Sequence, residues 1–587
     1  MKTQVVPTGE DAAISADLTK LAVDYALRSD DIPLSLALRL VSMETSEDAS
    51  GIDRDAVDIA SHSDDPADWL LGVRQACAML KKNVFLREAA SPELREERCI
   101  TKFLKTQKRV RIASKRLNYY LRRPSRMPPL IAEVIGEAQA DLFRLLGPGP
   151  EIKDWRRFAD AKSFSNGVIQ GLKPVPVKPG SEWKLKDTSS YGKLNPDNRI
   201  TSTSECLRVF GPRLLQNGVF RTHVEKVAHL GYVIDSAAGM SVFKEADIDR
   251  FIAAGGLLNS MAQQGIRSMW DPYLKRWGIT LDQQERNREL AERASHIGLA
   301  PHGWSTVDLS SASDGISVPL VHYLLPKEWA RLCDAAREPS VRIRGKLVKG
   351  YSSYCTMGNA FTFPLQCLIF ASLVRSSIKL SNCDDREYRV YGDDIICPSS
   401  ASLLLVEALK FCGFTPNLKK THITGFFRES CGGDFVRGLD VNPVELTEQP
   451  SLRTTQHVLF NRIQRKIPSH PVLYYLLGYN ERPFVGLAVD RESVADGYFE
   501  GPPFVVAQRG ASWYCNDIQA VKYRFKLLAP HSIRVKHDET DLRHLMSCLL
   551  GNHKRYHDLR GSVKYRVRER TLSVPYRIGA FSPVWYA

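Results

Sequence analysis

A chain of 587 residues is long enough for several subdomains around a large core. Its net charge of +15 favours a polyanionic partner, nucleic acid first, because neutralised phosphates release counterions. No stretch reads as the roughly 18–20 apolar residues of a membrane span, and Met1 to Asp11 lacks the basic start and apolar core of a secretory signal. The twelve cysteines show no C-x-x-C pair, which excludes a zinc ribbon or disulfide framework and points to reduced core thiols in a cytoplasmic protein.

Residues 10–45 alternate short helical patterns with acidic turns. After Asp64-Asp65-Pro66, the residues Trp69, Val73, Ala76, Cys77 and Leu80 recur at helical spacing and predict an amphipathic helix on a core. Residues 102–126 then carry ten Lys and Arg residues with no acidic residue among them. Val110, Ala113, Leu117 and Leu121 make an apolar stripe, so the basic residues form the outer face of a helix. Such a run is either a solvated face or, at this density, a surface that tracks phosphates. Lys105, Arg109 and Arg116 are its candidate RNA contacts. Residues 147–205 are rich in Gly, Pro, Ser and Lys and read as long irregular loops able to line a channel. In Ser241 to Ile252, Lys244 and Arg250 flank a turn. Cations so placed beside a triphosphate would neutralise it and favour departure of pyrophosphate, whereas a surface hairpin with salt bridges is the plainer reading. Gln263 to Leu299 reads as mostly helical.

Trp304 to Asp308 is a short β-rich run ending in an acid, with Asp314 six residues on. An acid at a strand end is where a sheet presents catalytic groups. A carboxylate at Asp314 can accept hydrogen bonds from sugar hydroxyls. Residues 326–350 form a basic excursion, and Thr356 to Thr362 leads into the apolar run Leu365 to Val374. There Gly358 permits close backbone approach and Asn359 offers a hydrogen-bonding side chain. Tyr388-Arg389-Val390 and Ile395-Ile396-Cys397 flank Gly392-Asp393-Asp394 as a hairpin would. Adjacent carboxylates on a tight turn repel unless a cation lies between them, and a hard divalent ion suits oxygen ligands. Leu403 to Cys412 has helical period, and Lys419 and Lys420 follow it on a loop. Either lysine could protonate a leaving pyrophosphate. Phe426 to Gly433 reads as strand and turn. Helical stretches follow at 452–466 and 540–550. Lys564, Arg566 and Arg568 then alternate with Val563, Tyr565 and Val567 as a strand with one cationic face, a candidate RNA contact.

The series Val242-Phe243-Lys244 with Asp249-Arg250, Asp282-Gln283 with Asn287, Thr306-Val307-Asp308-Leu309-Ser310, Met357-Gly358-Asn359, Val390 to Asp394, and Phe427-Arg428-Glu429-Ser430-Cys431-Gly432 spans roughly Phe243 to Glu445. It resembles the catalytic subunits of the replicases of single-stranded RNA bacteriophages, the leviviruses of Q-beta type. The resemblance implies an RNA-directed RNA polymerase with an α+β right-hand fold. Residues 1–135 would be a helical region contributing to the fingers, 136–300 the fingers, and 301–446 the palm with a fingers insertion at about 326–356. Residues 447–587 would be the thumb and C-terminal region. It implies two Mg²⁺ ions, with Mn²⁺ as a substitute, at Asp308, Asp393 and Asp394. Nucleotide contacts would come from Lys244, Arg250, Asp314, Gly358 and Asn359, joined by the Lys419 and Lys420 loop. The partners implied are RNA template and product, nucleoside triphosphates, the host translation elongation factors Tu and Ts, and often a ribosomal RNA-binding protein. The compartment implied is the cytoplasm of a bacterial host, without a membrane. Two rivals remain: a reverse transcriptase, and a basic RNA-binding protein whose acids are structural.

Overall fold

The computed structural model describes residues 8–29, 31–63, 67–83, 85, 90–160, 200–214, 231–298, 303–383, 386–418, 420–447, 449–480, 484–487, 498–515, 520–533 and 564–575. Within them helices and small, mostly antiparallel sheets alternate, so the fold is α+β. The expected channel loops beyond residue 160 and the expected helix at 540–550 lie outside the described residues.

Local chemistry sets the main elements. The basic helix runs Pro92–Leu121. The Ser91 hydroxyl accepts from the Leu94 N–H at 3.2 Å, and Pro92 occupies the first turn, where its missing N–H costs nothing. Cys99, Phe103, Val110, Ala113 and Leu117 are buried along one side, while Lys105, Lys108, Arg111 and Lys115 face outward. The stripe therefore lies where the sequence puts it.

The helix Thr362–Leu380 is the axis of the larger core. By length and composition it could cross a membrane, contrary to the expectation that no stretch would qualify; it is instead 78% buried inside the protein. Against it lie the helices Pro129–Leu146, Leu257–Arg276 and Ser399–Cys412. The basic excursion is less solvated than its charge suggests. Trp329, on the helix Lys327–Ala336, is fully buried within this core and its ring lies 6.1 Å from that of Trp270.

A second core changes the expected domain organisation. The helices Gly9–Ala26, Leu34–Val41, Ser46–Ala60 and Ala67–Lys81 pack with Phe427, Val436, Val441, Val444, Leu446, Phe460, Leu473, Phe499 and Phe525. The stretch 1–135 thus divides: its first helices share a core with the C-terminal part, and only the basic helix onward joins the larger core. The expected boundary at 446 and 447 runs through this second core rather than beside it. The described cysteines are all free thiols, most of them buried, as expected.

The strands that matter most form a three-stranded antiparallel sheet, Trp304–Val307, Asp394–Pro398 and Arg389–Tyr391, with Asp394–Pro398 in the middle. Alternation fixes its two faces. Ile395 and Cys397 point into the larger core, whereas Ile396 packs with Leu290 and Ala294 of the helix Glu285–Ile297.

Candidate active site

The sheet delivers three acids to one end. Tyr391 pairs with Asp394 across the acid hairpin, which leaves Gly392-Asp393 as a two-residue turn. Such a turn needs positive φ, and Gly392 has φ 66°. A Cβ there would lie 2.6 Å from the Phe363 ring. Tyr391 is fixed by an edge contact with Phe363, centroids 4.7 Å apart, and by its hydroxyl donating to Leu281 O at 3.0 Å. On the other side Val307 pairs with Ile395, so Asp308, one residue on, falls opposite Asp394. Gly392→Ala combines strained φ with a collision, and is expected to cost roughly 2 kcal/mol, read as a lowered urea midpoint.

The acids are held in place by groups inside and outside the motifs. Asn417 Nδ2 donates to Asp308 Oδ2 at 2.8 Å, and its N–H donates to Asp308 O at 2.9 Å. The Asp308 N–H donates to Thr421 Oγ1 at 3.3 Å. The Cys431 N–H donates to Asp394 Oδ1 at 3.2 Å. Cys431 sits at φ 51° in the turn between Phe427–Ser430 and Gly433–Val436, so the Phe427 to Gly432 motif reaches the acids through its backbone. Asn287 spans the same junction, from Asp394 O at 3.4 Å to Ser430 Oγ at 3.3 Å.

Burial raises all three carboxyls above their usual range. Asp308 is raised further by the charge of Asp393, against the Asn417 hydrogen bond and Lys420. For Asp393, Arg250 and Lys420 oppose the burial. Asp394 is pushed up to about 6, by burial and then by Asp393, Asp308 and Glu429 despite the Cys431 N–H. Burial alone would lower Lys420, but Glu429, 2.6 Å away, holds its ammonium well above the ordinary lysine range. A lysine so paired gives up its proton only after leaving Glu429. Among the described residues no three acid, histidine or cysteine side chains close into a ready-made metal cage. The donor set nonetheless fits a hard divalent cation: it is all oxygen, and its members destabilise one another's charge until a cation joins them.

Beside the acids stands the lysine hairpin, Ala237–Val242 and Arg250–Ala254, with Val242 opposite Arg250. Arg250 is exposed and its charge acts on Asp393. Lys244 in the turn pairs with Glu245 at 3.2 Å. Gly358 packs against this hairpin at φ 129°, where a Cβ would meet Ala253 O at 2.4 Å. The neighbouring Ala253 N–H donates to Met357 O at 3.0 Å. Asn359 is already engaged: its Oδ1 accepts from the Thr356 N–H at 2.9 Å, and its Nδ2 donates to Glu338 Oε2 at 3.0 Å. Glu338, unremarked in the sequence, is buried and pushed up to about 6 by that burial. It also accepts from the Gly256 N–H at 2.9 Å, and so ties the base of the lysine hairpin to the Gly358 turn.

The pattern of the family described as RNA replicase, beta-chain matches residues 32–470. The chain belongs to that family. It is 36% identical over 265 residues to the RNA-directed RNA polymerase subunit beta of Escherichia virus Qbeta, covering 45% of this chain and 44% of that one. To the RNA-directed RNA polymerase beta chain of Escherichia phage MS2 it is 34% identical over 306 residues, 51% of this chain and 52% of the relative. With the corresponding chain of Enterobacteria phage GA it shares 31% over 400 residues, 68% and 70% of the two. The chain thus spans about half the length of the Qbeta and MS2 relatives. Among solved structures, a chain of an "RdRp complex" aligns over 58% of this chain and 32% of its own at a TM-score of 0.37 and 12% identity, too loose a match to establish a shared fold.

The remaining candidates divide. Asp314 lies near the acids' strand on a short helical turn, Ala312–Gly315. Burial pushes its carboxyl up to about 7 against Lys102 and Arg109, and its Oδ1 has no hydrogen-bond partner. Arg109 reaches Ser310 O at 3.5 Å. Arg116 is exposed and also has partners within the protein. Its Nη2 donates to Lys410 O at 2.9 Å and Phe411 O at 3.0 Å, capping the helix Ser399–Cys412. Lys105 is exposed. Lys419 lies outside the described residues. Lys564, Arg566 and Arg568 belong to the strand Lys564–Pro575, as expected, but their side chains lie outside what is described.

Proposed function

We propose that this replicase beta chain is an RNA-directed RNA polymerase that copies a viral single-stranded RNA genome, joining nucleoside triphosphates to an RNA 3′-hydroxyl and releasing pyrophosphate. One observation carries this reading: the register that sets Asp308 opposite Asp394, with Asp393 on the adjoining turn and Arg250 acting on it. Asp308 and Asp393 would hold two Mg²⁺ or Mn²⁺ ions, with Asp394 supporting them. Bound ions would activate the 3′-hydroxyl and stabilise the leaving phosphate oxygens. The chain's own groups do the rest. Lys244 and Arg250 neutralise the triphosphate, and the unpartnered Asp314 oxygen accepts from the ribose 2′-hydroxyl. Gly358 and Asn359 hold the backbone that the nucleotide approaches. Lys420 becomes the proton donor to pyrophosphate when it leaves Glu429, with Lys419 the alternative.

In polymerase terms the three-stranded sheet is the palm, the lysine hairpin with its neighbours the fingers, and the C-terminal part the thumb. The first four helices then stand with the thumb side, because they share its core. RNA and nucleoside triphosphates are the partners proposed, and the host factors Tu and Ts with a ribosomal RNA-binding protein are the further ones, in a bacterial cytoplasm. The test is ribonucleotide incorporation on an RNA template with Mg²⁺, by the chain alone and with those factors. Template-dependent RNA synthesis is expected. A strong preference for deoxynucleotides would overturn the reading in favour of a reverse transcriptase.

A further inference from the structure

The basic helix was read as an outer surface, yet it crosses the acid and lysine elements. Arg95 Nε donates to Asp249 Oδ1 at 3.2 Å, and both side chains are nearly buried. Arg98 Nη1 donates to Asp247 O at 3.2 Å. Phe103 stacks on Phe251, with centroids 3.7 Å apart and planes 18° from parallel. These contacts seat the helix on the lysine hairpin. Further along, Gln107 Nε2 donates to Ser353 Oγ at 2.7 Å, and Ser353 Oγ donates to Asp314 O at 2.5 Å. Arg109 reaches the loop between Asp308 and Asp314. The helix therefore bridges the two sides that a nucleotide would enter between.

Lys102 stands midway along that bridge. It is two helical turns, about 10.5 Å, from Arg95 on one side and from Arg109 on the other. Its side chain is exposed, and among the described residues it forms no salt bridge or hydrogen bond. The charges that act on it are those of Lys244, Glu245 and Asp314. Lys244 opposes the charge of Lys102, while Glu245, itself paired with Lys244, and Asp314 favour it, so an anion joining the two lysines would relieve their repulsion. Around them two buried polar atoms lack partners, Arg109 Nε and Asp314 Oδ1. The basic helix thus presents one unspent donor, Arg109 Nε, and the turn Ala312–Gly315 one unspent acceptor, Asp314 Oδ1.

We propose that Lys102 is a phosphate-binding residue of the nucleotide site, forming with Lys244 a two-lysine clamp on the triphosphate of the incoming nucleotide. The proposal rests on the polymerase reading of this site and adds to it a wall from the N-terminal helix. Lys244 comes from a hairpin turn and Lys102 from a long capped helix, so the clamp pairs an adjustable jaw with a rigid one.

The test is equilibrium binding of a fluorescent ATP analogue, with Mg²⁺, to the full chain and to Lys102→Gln, Lys102→Arg and the remote control Lys275→Gln. Glutamine keeps the length of the stem and removes the charge. Lys102→Gln is expected to weaken binding about tenfold, with Lys102→Arg close to the parent. In steady-state incorporation the same substitution raises KM for nucleotide and leaves kcat within about threefold. Equal affinity of the parent and Lys102→Gln overturns the clamp. So does a loss that Lys102→Arg fails to restore, which marks a packing role. The polymerase reading fails separately: if the chain binds the analogue but never extends RNA, that reading falls while the binding comparison still decides the clamp.

Discussion

Asp393→Asn is expected to abolish ribonucleotide incorporation, by about a thousandfold or more, while RNA affinity stays near that of the parent and the thermal midpoint in divalent-free buffer does not fall. The amide keeps the size of the turn residue and removes the charge that would hold a divalent ion. The binding-protein alternative makes the opposite prediction, since structural acids could lose a charge without consequence. Asp394 allows a second reading of the same cluster. Its folded carboxyl titrates at about 6 rather than near 3.8, with burial as the first cause. A carboxyl raised on folding binds its proton more tightly in the folded state. Its contribution to stability is therefore present at low pH and is lost as pH rises from about 4 through about 6. Above that window the ionised group costs the metal-free protein roughly 3 kcal/mol. Asp394→Asn should accordingly raise the thermal midpoint in divalent-free buffer at pH 7.5, raise it less at pH 5, and still lower activity. Mg²⁺ should raise the midpoint of the parent more than that of the variant. A variant no more stable than the parent at pH 7.5 without Mg²⁺ would show that the three acids do not strain one another.

Arg428→Met is expected to destabilise the fold by about 3–4 kcal/mol, seen as a large drop in the urea midpoint. Arg428 is fully buried, yet it has carbonyls rather than a carboxylate for partners. It donates to Trp304 O at 2.6 Å, Phe427 O at 2.7 Å, Gly425 O at 2.9 Å and Gly298 O at 3.3 Å. Burial pushes its guanidinium down to about 10. One side chain thus ties the first acid strand, the end of the helix Glu285–Ile297 and the supporting hairpin. Methionine fills the space and leaves four buried acceptors unmet. Lysine should not rescue it, because three donors on one nitrogen cannot reach carbonyls arranged around a planar fork. A loss under about 1 kcal/mol for Arg428→Met would mean that water replaces the guanidinium.

What was legible in the sequence was local. The acid hairpin was readable because an apolar run, a Gly-Asp turn and a second apolar run recur within ten residues, and its strands and turn lie where that pattern puts them. The basic helix was readable from its apolar stripe, and its outward lysines followed from the same period, whereas its capped start at Pro92, ten residues before the basic run, was not. The tertiary structure decided what a period cannot encode. Opposing Asp308 to Asp394 depends on the register of strands that are distant in sequence. Asn417, which belongs to no motif, and the backbone N–H of Cys431, whose motif does not announce a backbone role, hold the acids. Arg116 and Lys102 sit about four turns apart on one helix, and they have different surroundings: one caps the helix Ser399–Cys412, and the other feels the charge of Lys244. The resemblance put residues 1–135 with the fingers, and no period shows that the first four helices complete a core with residues beyond 426. Sequence periodicity records which face of an element is apolar, because that depends on neighbours three or four residues away. Which distant face it meets depends on how the whole chain closes, and at this protein's site that closure sets both the charge and the grip of every acid.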